Sequence, residues 1–273
     1  MEFRFTAEEE AFRKEVRGFI HEEFPKVRDG ESFTRKLAER GWLTMSWPKE
    51  HGGQAASHMR QLVYNEEMAY NRAPGQTMGT DRVGPTIILF GTDAQKAELL
   101  PRIVKDEIAW CQGFSEPGSG SDLASLQTRA IREGDVYVVN GQKIWTSGAQ
   151  RADYMILLAR TDPDAPKHRG ITYLLLDMKS PGITVRPLVN MADQHHFNEV
   201  FFEDVRVPAA NAVGEVNRGW YIGTTTLDFE RSSIGSAVGQ RQNVERNIRW
   251  LKENKASIAP TDYDAARLQW ADR

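Results

Sequence analysis

Between Asp135 and Val207 the sequence holds six short runs rich in Val, Ile, Tyr and Phe, bounded by Pro and Gly, with no helical pattern between them: Asp135–Val139, Lys143–Trp145, Asp153–Arg160, Gly170–Asp177, Ile183–Leu188 and Glu199–Val207. Parallel neighbours would need crossover connections of about a dozen residues or more. The spacing leaves no room for them, so the pattern predicts an antiparallel sheet or barrel. Asn140-Gly141 sits between the first two runs. That dipeptide readily supplies two positive φ angles, which predicts a tight hairpin there.

The flanks have a different period. Thr6 and Glu9 make a capping-box pattern, and Phe12, Val16, Phe19 and Ile20 then recur at helical spacing up to about Phe24. Further helices are predicted near Phe33–Arg40, Ser57–Asn71 and Asp93–Ile108, separated by Trp47-Pro48, Gly52-Gly53 and Ala73-Pro74-Gly75. Helix returns near Asn217, runs to about Lys252, and begins again near Asp262. The chain therefore reads as α+β: an N-terminal helical domain over 1–110, a middle antiparallel, barrel-like β-domain over 111–215, and the start of a C-terminal helical bundle over 216–273.

Charge and composition remove several classes of function. The 35 basic and 38 acidic residues are interspersed and sum to −3, so no basic stripe offers itself to nucleic acid or anionic lipid. No apolar run approaches the roughly 18 residues of a membrane span, and the acidic opening MEFRFTAEEE is unlike a signal peptide; a cytoplasmic protein is the expectation. Cys111 is the sole cysteine, which excludes an internal disulfide and disfavours a thiolate metal site. His195 and His196 are adjacent, so on a strand they would point to opposite faces and could not share an ion.

The segment richest in possible chemistry lies where the texture changes, Trp110-Cys111-Gln112-Gly113-Phe114-Ser115-Glu116-Pro117-Gly118-Ser119-Gly120-Ser121-Asp122. Its glycines and serines allow close backbone approach and offer N–H and hydroxyl donors to a flat heterocycle or a phosphate. On composition alone a mobile loop between domains fits better. A dinucleotide fingerprint does not: Leu123 stands where the third glycine belongs, and no strand is predicted before it.

This segment closely resembles the first signature of the acyl-CoA dehydrogenase family, with Phe114 in place of the usual aliphatic residue. The likeness continues in Gly41-Trp42-Leu43 with Trp47-Pro48-Lys49-Glu50-His51-Gly52-Gly53, in Gly141-Gln142-Lys143-Ile144-Trp145-Thr146-Ser147, and in Phe202-Glu203-Asp204-Val205-Arg206-Val207-Pro208. It implies an FAD-dependent oxidoreductase converting an acyl-CoA thioester to a trans-2-enoyl-CoA. Gln112, Phe114 and Ser115, with Trp145 and Ser147, would border the flavin ring, and Ser121 would meet the CoA portion of the substrate. Trp145 and Ser147, two apart on a predicted strand, would share a face. An electron-transfer flavoprotein is the implied electron acceptor, with oxygen as the alternative in a related oxidase, and a homo- or hetero-oligomer, dimer or tetramer, is implied. Family members continue well past residue 273, so a non-catalytic or fragment subunit completed by a partner chain is the alternative reading.

Glu230 is the expected catalytic base. It lies three residues after Leu227 and four before Ile234, on a stripe that also holds Trp220, Val238, Val244, Ile248 and Leu251. A carboxylate there is costly unless it snorkels, pairs with an arginine, or is used. The resemblance favours use, since Asp228-Phe229-Glu230-Arg231 matches the helix position from which one branch of the family supplies its base. Asp228 and Arg231 are then expected at the substrate, pairing with each other.

Overall fold

The structure, a computed structural model, describes residues 4–27, 30–231, 235–257 and 259–271; the side chains of 30–31, 231, 235–236 and 266–271 lie outside the description. Among the described residues the helices are α1 (Ala7–Glu23), α2 (Gly30–Glu39), α3 (His58–Tyr70), α4 (Gly84–Phe90), α5 (Asp93–Val104), α6 (Gly219–Arg231), α7 (Gly235–Glu253) and α8 (Pro260–Ala271). The strands are β1 (Trp110–Gly113), β2 (Arg129–Glu133), β3 (Val136–Lys143), β4 (Tyr154–Arg160), β5 (Ile171–Asp177), β6 (Ile183–Leu188), β7 (Phe197–Pro208) and β8 (Ala212–Val213). None of the helices is long and apolar enough to cross a membrane. The chain forms two compact units, one of Met1–Phe33, Ser57–Gly75 and Ser233–Arg273, the other of Thr34–Ala56 and Gln76–Ser232.

The first unit is helical. α1 begins as its sequence dictates: Thr6 accepts from the Glu9 N–H while the Glu9 carboxylate accepts from the Thr6 N–H. Phe12, Val16, Phe19 and Ile20 are its buried face. On α3 the buried set is Val63, Tyr64 and Met68, with one charged residue among them, Glu67. Arg13 of α1 donates to Glu66 at 2.7 Å and to Glu67 at 3.0 Å, and Arg17 adds bonds of 2.8 and 2.9 Å to Glu67. On α7, Val238 and Leu251 are buried while Ile248 and Trp250 are exposed.

The second unit is built on one eight-stranded sheet in the order β6-β7-β3-β2-β4-β5-β8, with β1 alongside β4. It departs from the expected sheet in three ways. First, it is open, not a closed barrel, ending at β6 and β8. Second, β1 and β2 both pair parallel with β4, because β1 enters from the helical region and needs no hairpin return. Third, Asn140-Gly141 is not a hairpin. The turn lies at Gly134, with φ +60°, and β3 runs straight through Gly141, opposite which β7 carries the extra residue of a bulge. The dipeptide serves the bulge: Gly141 has φ +147°, a Cβ there would lie 2.7 Å from the Thr128 Cα, and Asn140 exchanges hydrogen bonds of 2.9 and 3.0 Å with Asp204.

Two apolar cores cover the two faces of this sheet. β4 and β5 are buried almost throughout, as near-continuous apolar strands must be. Ile156, Leu158, Tyr173 and Leu175 meet α4, α5 and α6 side chains, whereas Met155, Leu157, Leu174 and Leu176 meet β3 and β7. The helical segment at Gly79–Phe90, absent from the sequence expectations, is part of the first core: Val83 and Ile87 are fully buried.

Candidate active site

β1 leads directly into the Gly- and Ser-rich segment. Cys111 and Gly113 face the β3–β7 core, where a Cβ on Gly113 would come within 2.4 Å of the Met155 sulfur, and burial pushes the Cys111 thiol up to about 12. Gln112 points the other way, and its Oε1 is buried with no hydrogen-bond partner among the described residues. After Gly113 the chain turns sharply. Glu116 and Ser119 exchange backbone hydrogen bonds of 2.7 and 3.0 Å around Pro117-Gly118, and Ser119 Oγ donates to the Asp122 carbonyl. Ser121 stands exposed on this turn, and Asp122 pairs with Lys167 at 2.9 Å.

The second motif joins the first through Lys143. Its side chain is fully buried, and its ammonium donates to the Phe114 carbonyl at 2.9 Å and to the Glu116 carboxylate at 2.8 Å. Glu116 also accepts from the backbone N–H groups of Gln127 and Thr128 at 2.6 and 2.9 Å. Burial pushes the Glu116 carboxyl up, but Lys143 and the two N–H groups outweigh it and hold it below its ordinary value. Burial dominates at Lys143, lowering its ammonium to about 8 against the attraction of Glu116. One residue further on, the Ile144 N–H donates to the Ser115 carbonyl at 2.9 Å. The stretches 112–116 and 143–147 are thereby stapled side by side.

The strand argument for Trp145 and Ser147 fails, although both remain at this place. β3 ends at Lys143, and Trp145 takes φ +60°, a left-handed conformation that breaks the alternation. Trp145 is 60% exposed, edge-on to Phe197 at 6.1 Å between ring centroids, and Ser147 is exposed on the following turn. Between them Thr146 is buried with an unpartnered Oγ1. Phe114 is committed to packing: it is 3% exposed and edge-on to Tyr173, which leaves its backbone as the part able to meet a ligand. His195 and His196 lie on an exposed loop.

Glu230 lies elsewhere in the same unit, near the end of α6. Its side chain is 42% exposed, so the carboxylate is at the rim of the apolar stripe, and it faces Arg82 Nη2 at 3.7 Å. Arg82 comes from the turn Gly79–Val83, which is a π-turn, the Gly84 N–H bonding the Gly79 carbonyl five residues back. Trp47 occupies the space that a side chain at residue 84 would need and donates its indole N–H to the Thr80 carbonyl at 3.0 Å. Thr86 and Thr226 share a buried hydrogen bond of 2.9 Å that ties α4 to α6. Asp228 is exposed; the Arg231 side chain, and hence the expected Asp228–Arg231 pair, lies outside the described residues, as does Ile234. Sequence reasoning assigned no role to Glu116, Lys143, Asp81 or Arg82. A signal existed for Lys143, which falls at the inward parity of Tyr137 and Val139.

Residues 6–107 match the family model "Acyl-CoA dehydrogenase, N-terminal domain", and residues 111–205 match "Acyl-CoA dehydrogenase, middle domain". The chain belongs to the acyl-CoA dehydrogenase family. It is 39% identical to acyl-CoA dehydrogenase IpdE1 of Mycobacterium tuberculosis, over 96% of this chain and 73% of that protein. Among solved structures it resembles the Tcur3481-Tcur3483 steroid ACAD, at 35% identity and TM-score 0.88, covering 99% of this chain and 74% of that one. The ChsE4-ChsE5 complex from M. tuberculosis is also similar, at 38% identity and TM-score 0.83, covering 93% and 68%. The chain spans 73%, 63% and 32% of the lengths of three curated acyl-CoA dehydrogenases that it matches. Membership places it among flavoprotein oxidoreductases. The acyl-CoA dehydrogenase motifs fit a flat, polar-edged ring: the stretches that carry an exposed indole also carry buried acceptor and hydroxyl atoms with no partner among the described residues.

Proposed function

We propose that this chain binds FAD and dehydrogenates an acyl-CoA thioester to the trans-2-enoyl-CoA. The observation that carries the reading is the staple joining Ser115 and Phe114 to Lys143 and Ile144, which sets the two motifs beside one another. When bound, the flavin supplies the hydride acceptor. Gln112, Ser115 and Ser147 supply polar contacts to its edge, Trp145 a π surface, and Phe114 a backbone edge. Ser121, exposed at the neighbouring turn, contacts the CoA portion of the substrate, with Asp228 and Arg231 at its acyl end. Glu230 removes the α-proton. Its exposure leaves the carboxylate able to reach a substrate, and Arg82, 3.7 Å away, orients it without a close hydrogen bond.

The relatives solved as named pairs, ChsE4-ChsE5 and Tcur3481-Tcur3483, support an oligomer. In this reading a second subunit completes the site and an electron-transfer flavoprotein accepts the electrons. Glu230→Gln is the test, made in whatever assembly retains flavin. It should leave the flavin spectrum and acyl-CoA binding intact and slow flavin reduction by at least about a hundredfold, the scale of a lost general base. Near-normal reduction would place the base elsewhere.

A further inference from the structure

Asp81 of the second unit has a carboxylate oxygen, Oδ1, that is buried without a hydrogen-bond partner among the described residues although the side chain is 28% exposed, and Arg82 Nε, 3.7 Å away, is likewise unpartnered among them. A native structure rarely tolerates adjacent unsatisfied donor and acceptor atoms unless they serve a site. The backbone that carries them is a π-turn, held by the Trp47 indole on one side and by the Thr86–Thr226 bond to α6 on the other. Arg82 reaches from this turn to Glu230, so one guanidinium lies within 4 Å of two carboxylates and makes a close hydrogen bond to neither.

We propose that Asp81 is a positioning residue for Glu230, acting through the guanidinium of Arg82 that the two carboxylates share. The proposal rests on the reading of Glu230 as the base. Arg82 cannot serve both partners fully. When Asp81 is ionised it draws on Arg82 and loosens the hold on Glu230, freeing that carboxylate to take a proton; when Asp81 is neutral, Arg82 turns wholly to Glu230. The charged groups bearing on Asp81 are Arg82 of the same turn and Glu230 of α6. Burial, only partly offset by Arg82 and reinforced by Glu230, pushes the Asp81 carboxyl up to about 6, so the exchange falls within the range of cellular pH.

The test is an NMR titration of the whole chain, 13C-labelled at the Asp and Glu carboxyl carbons, with Asp81→Asn and Glu230→Gln identifying the two resonances. The Glu230 resonance should show an inflection near pH 6 that coincides with titration of Asp81. That inflection should vanish in Asp81→Asn and in Arg82→Gln and persist in Arg82→Lys. The Asp81 midpoint should fall by roughly half a pH unit in Glu230→Gln, as expected when a like charge is removed at this range. A Glu230 resonance with no inflection at the Asp81 midpoint, or an inflection that survives Arg82→Gln, overturns the proposal. Rapid flavin reduction by Glu230→Gln overturns the base assignment instead, and the two failures are told apart because the titration needs no flavin.

Discussion

Glu67 in the helical unit and Asp81 in the sheet-bearing unit are both carboxylates driven inward, and their surroundings treat them in opposite ways. Glu67 is 3% exposed and receives three charged hydrogen bonds, from Arg13 and Arg17. Burial alone would push its carboxyl up, but those arginines outweigh it and hold it below the ordinary value. Burial likewise pushes the Asp81 carboxyl up, to about 6, but there the one nearby arginine only partly offsets it. The difference lies in how many donors answer the burial. A carboxylate whose lone pairs are filled by its own fold is fixed and contributes to stability, whereas one left short can change its charge and act on a neighbour.

Glu116 extends the comparison, since it is filled by Lys143 and two backbone N–H groups in the same unit that leaves Asp81 short. Lys143→Met should therefore have the largest effect on stability, a loss of about 3–5 kcal/mol for stranding a buried charge. The double variant Glu116→Gln/Lys143→Met should recover part of it in denaturant melts. It should also separate the 112–116 and 143–147 stretches, with a change in Trp145 fluorescence. A loss below about 1 kcal/mol would show that the two N–H groups alone satisfy Glu116.

That staple also marks how far the sequence could be read. The capping box at Thr6, the buried face of α1, and the extents of β4, β5 and β6 were legible because each depends on residues within one turn or one strand. Two of the four family motifs imply that Gln112, Ser115, Trp145 and Ser147 border one ring, and the Ile144–Ser115 hydrogen bond sets those two stretches side by side. What escaped was set by partners distant in the chain. Asn140-Gly141 has hairpin chemistry, but pairing with β7 out to Pro208 carries β3 straight through it. The parallel pairing of β1 and β2 with β4 leaves no local signature. Trp145 leaves strand geometry between Ile144, held by Ser115, and Thr146, held by Asn198, and Lys143 meets Glu116 across 27 residues. The helical segment at 79–90 carries Gly79, Gly84 and Pro85, residues that weaken a helical pattern, and the need for glycine at 84 is set by Trp47, distant in the chain.

The second expected effect tests the filled side of the comparison. Glu67→Gln removes a charged acceptor from Arg13 and Arg17 and should cost about 2 kcal/mol near neutral pH, as for hydrogen bonds to charged groups. The sign of its pH dependence follows from the lowered folded value. The contribution of Glu67 is complete above the unfolded carboxylate range, about 4.3, and is lost as pH falls through the folded value below it. Wild type and variant should therefore converge in acid melts below about pH 4. A constant gap down to pH 2 would mean that Glu67 acts by packing and not by charge.

The smallest effect, and the one most able to break the comparison, is Asp81→Asn measured as stability. Asp81 has a folded value raised to about 6 above an ordinary 3.8. Between those two pH values the folded chain holds a proton that the unfolded chain has released, so stability on this account falls as pH rises through the window and the cost is fully present above it. Asparagine keeps the shape and never ionises. The variant should match wild type at pH 4 and exceed it by about 1 kcal/mol at pH 7.5, the low end of what an unsatisfied buried acceptor costs. The sign is opposite to that expected for Glu67→Gln, although both replace an acid by its amide. If Asp81→Asn instead destabilises the protein at pH 7.5, then Arg82 satisfies Asp81 as thoroughly as Arg13 and Arg17 satisfy Glu67. The guanidinium would not be shared, and Glu230 would face a fixed charge at every pH.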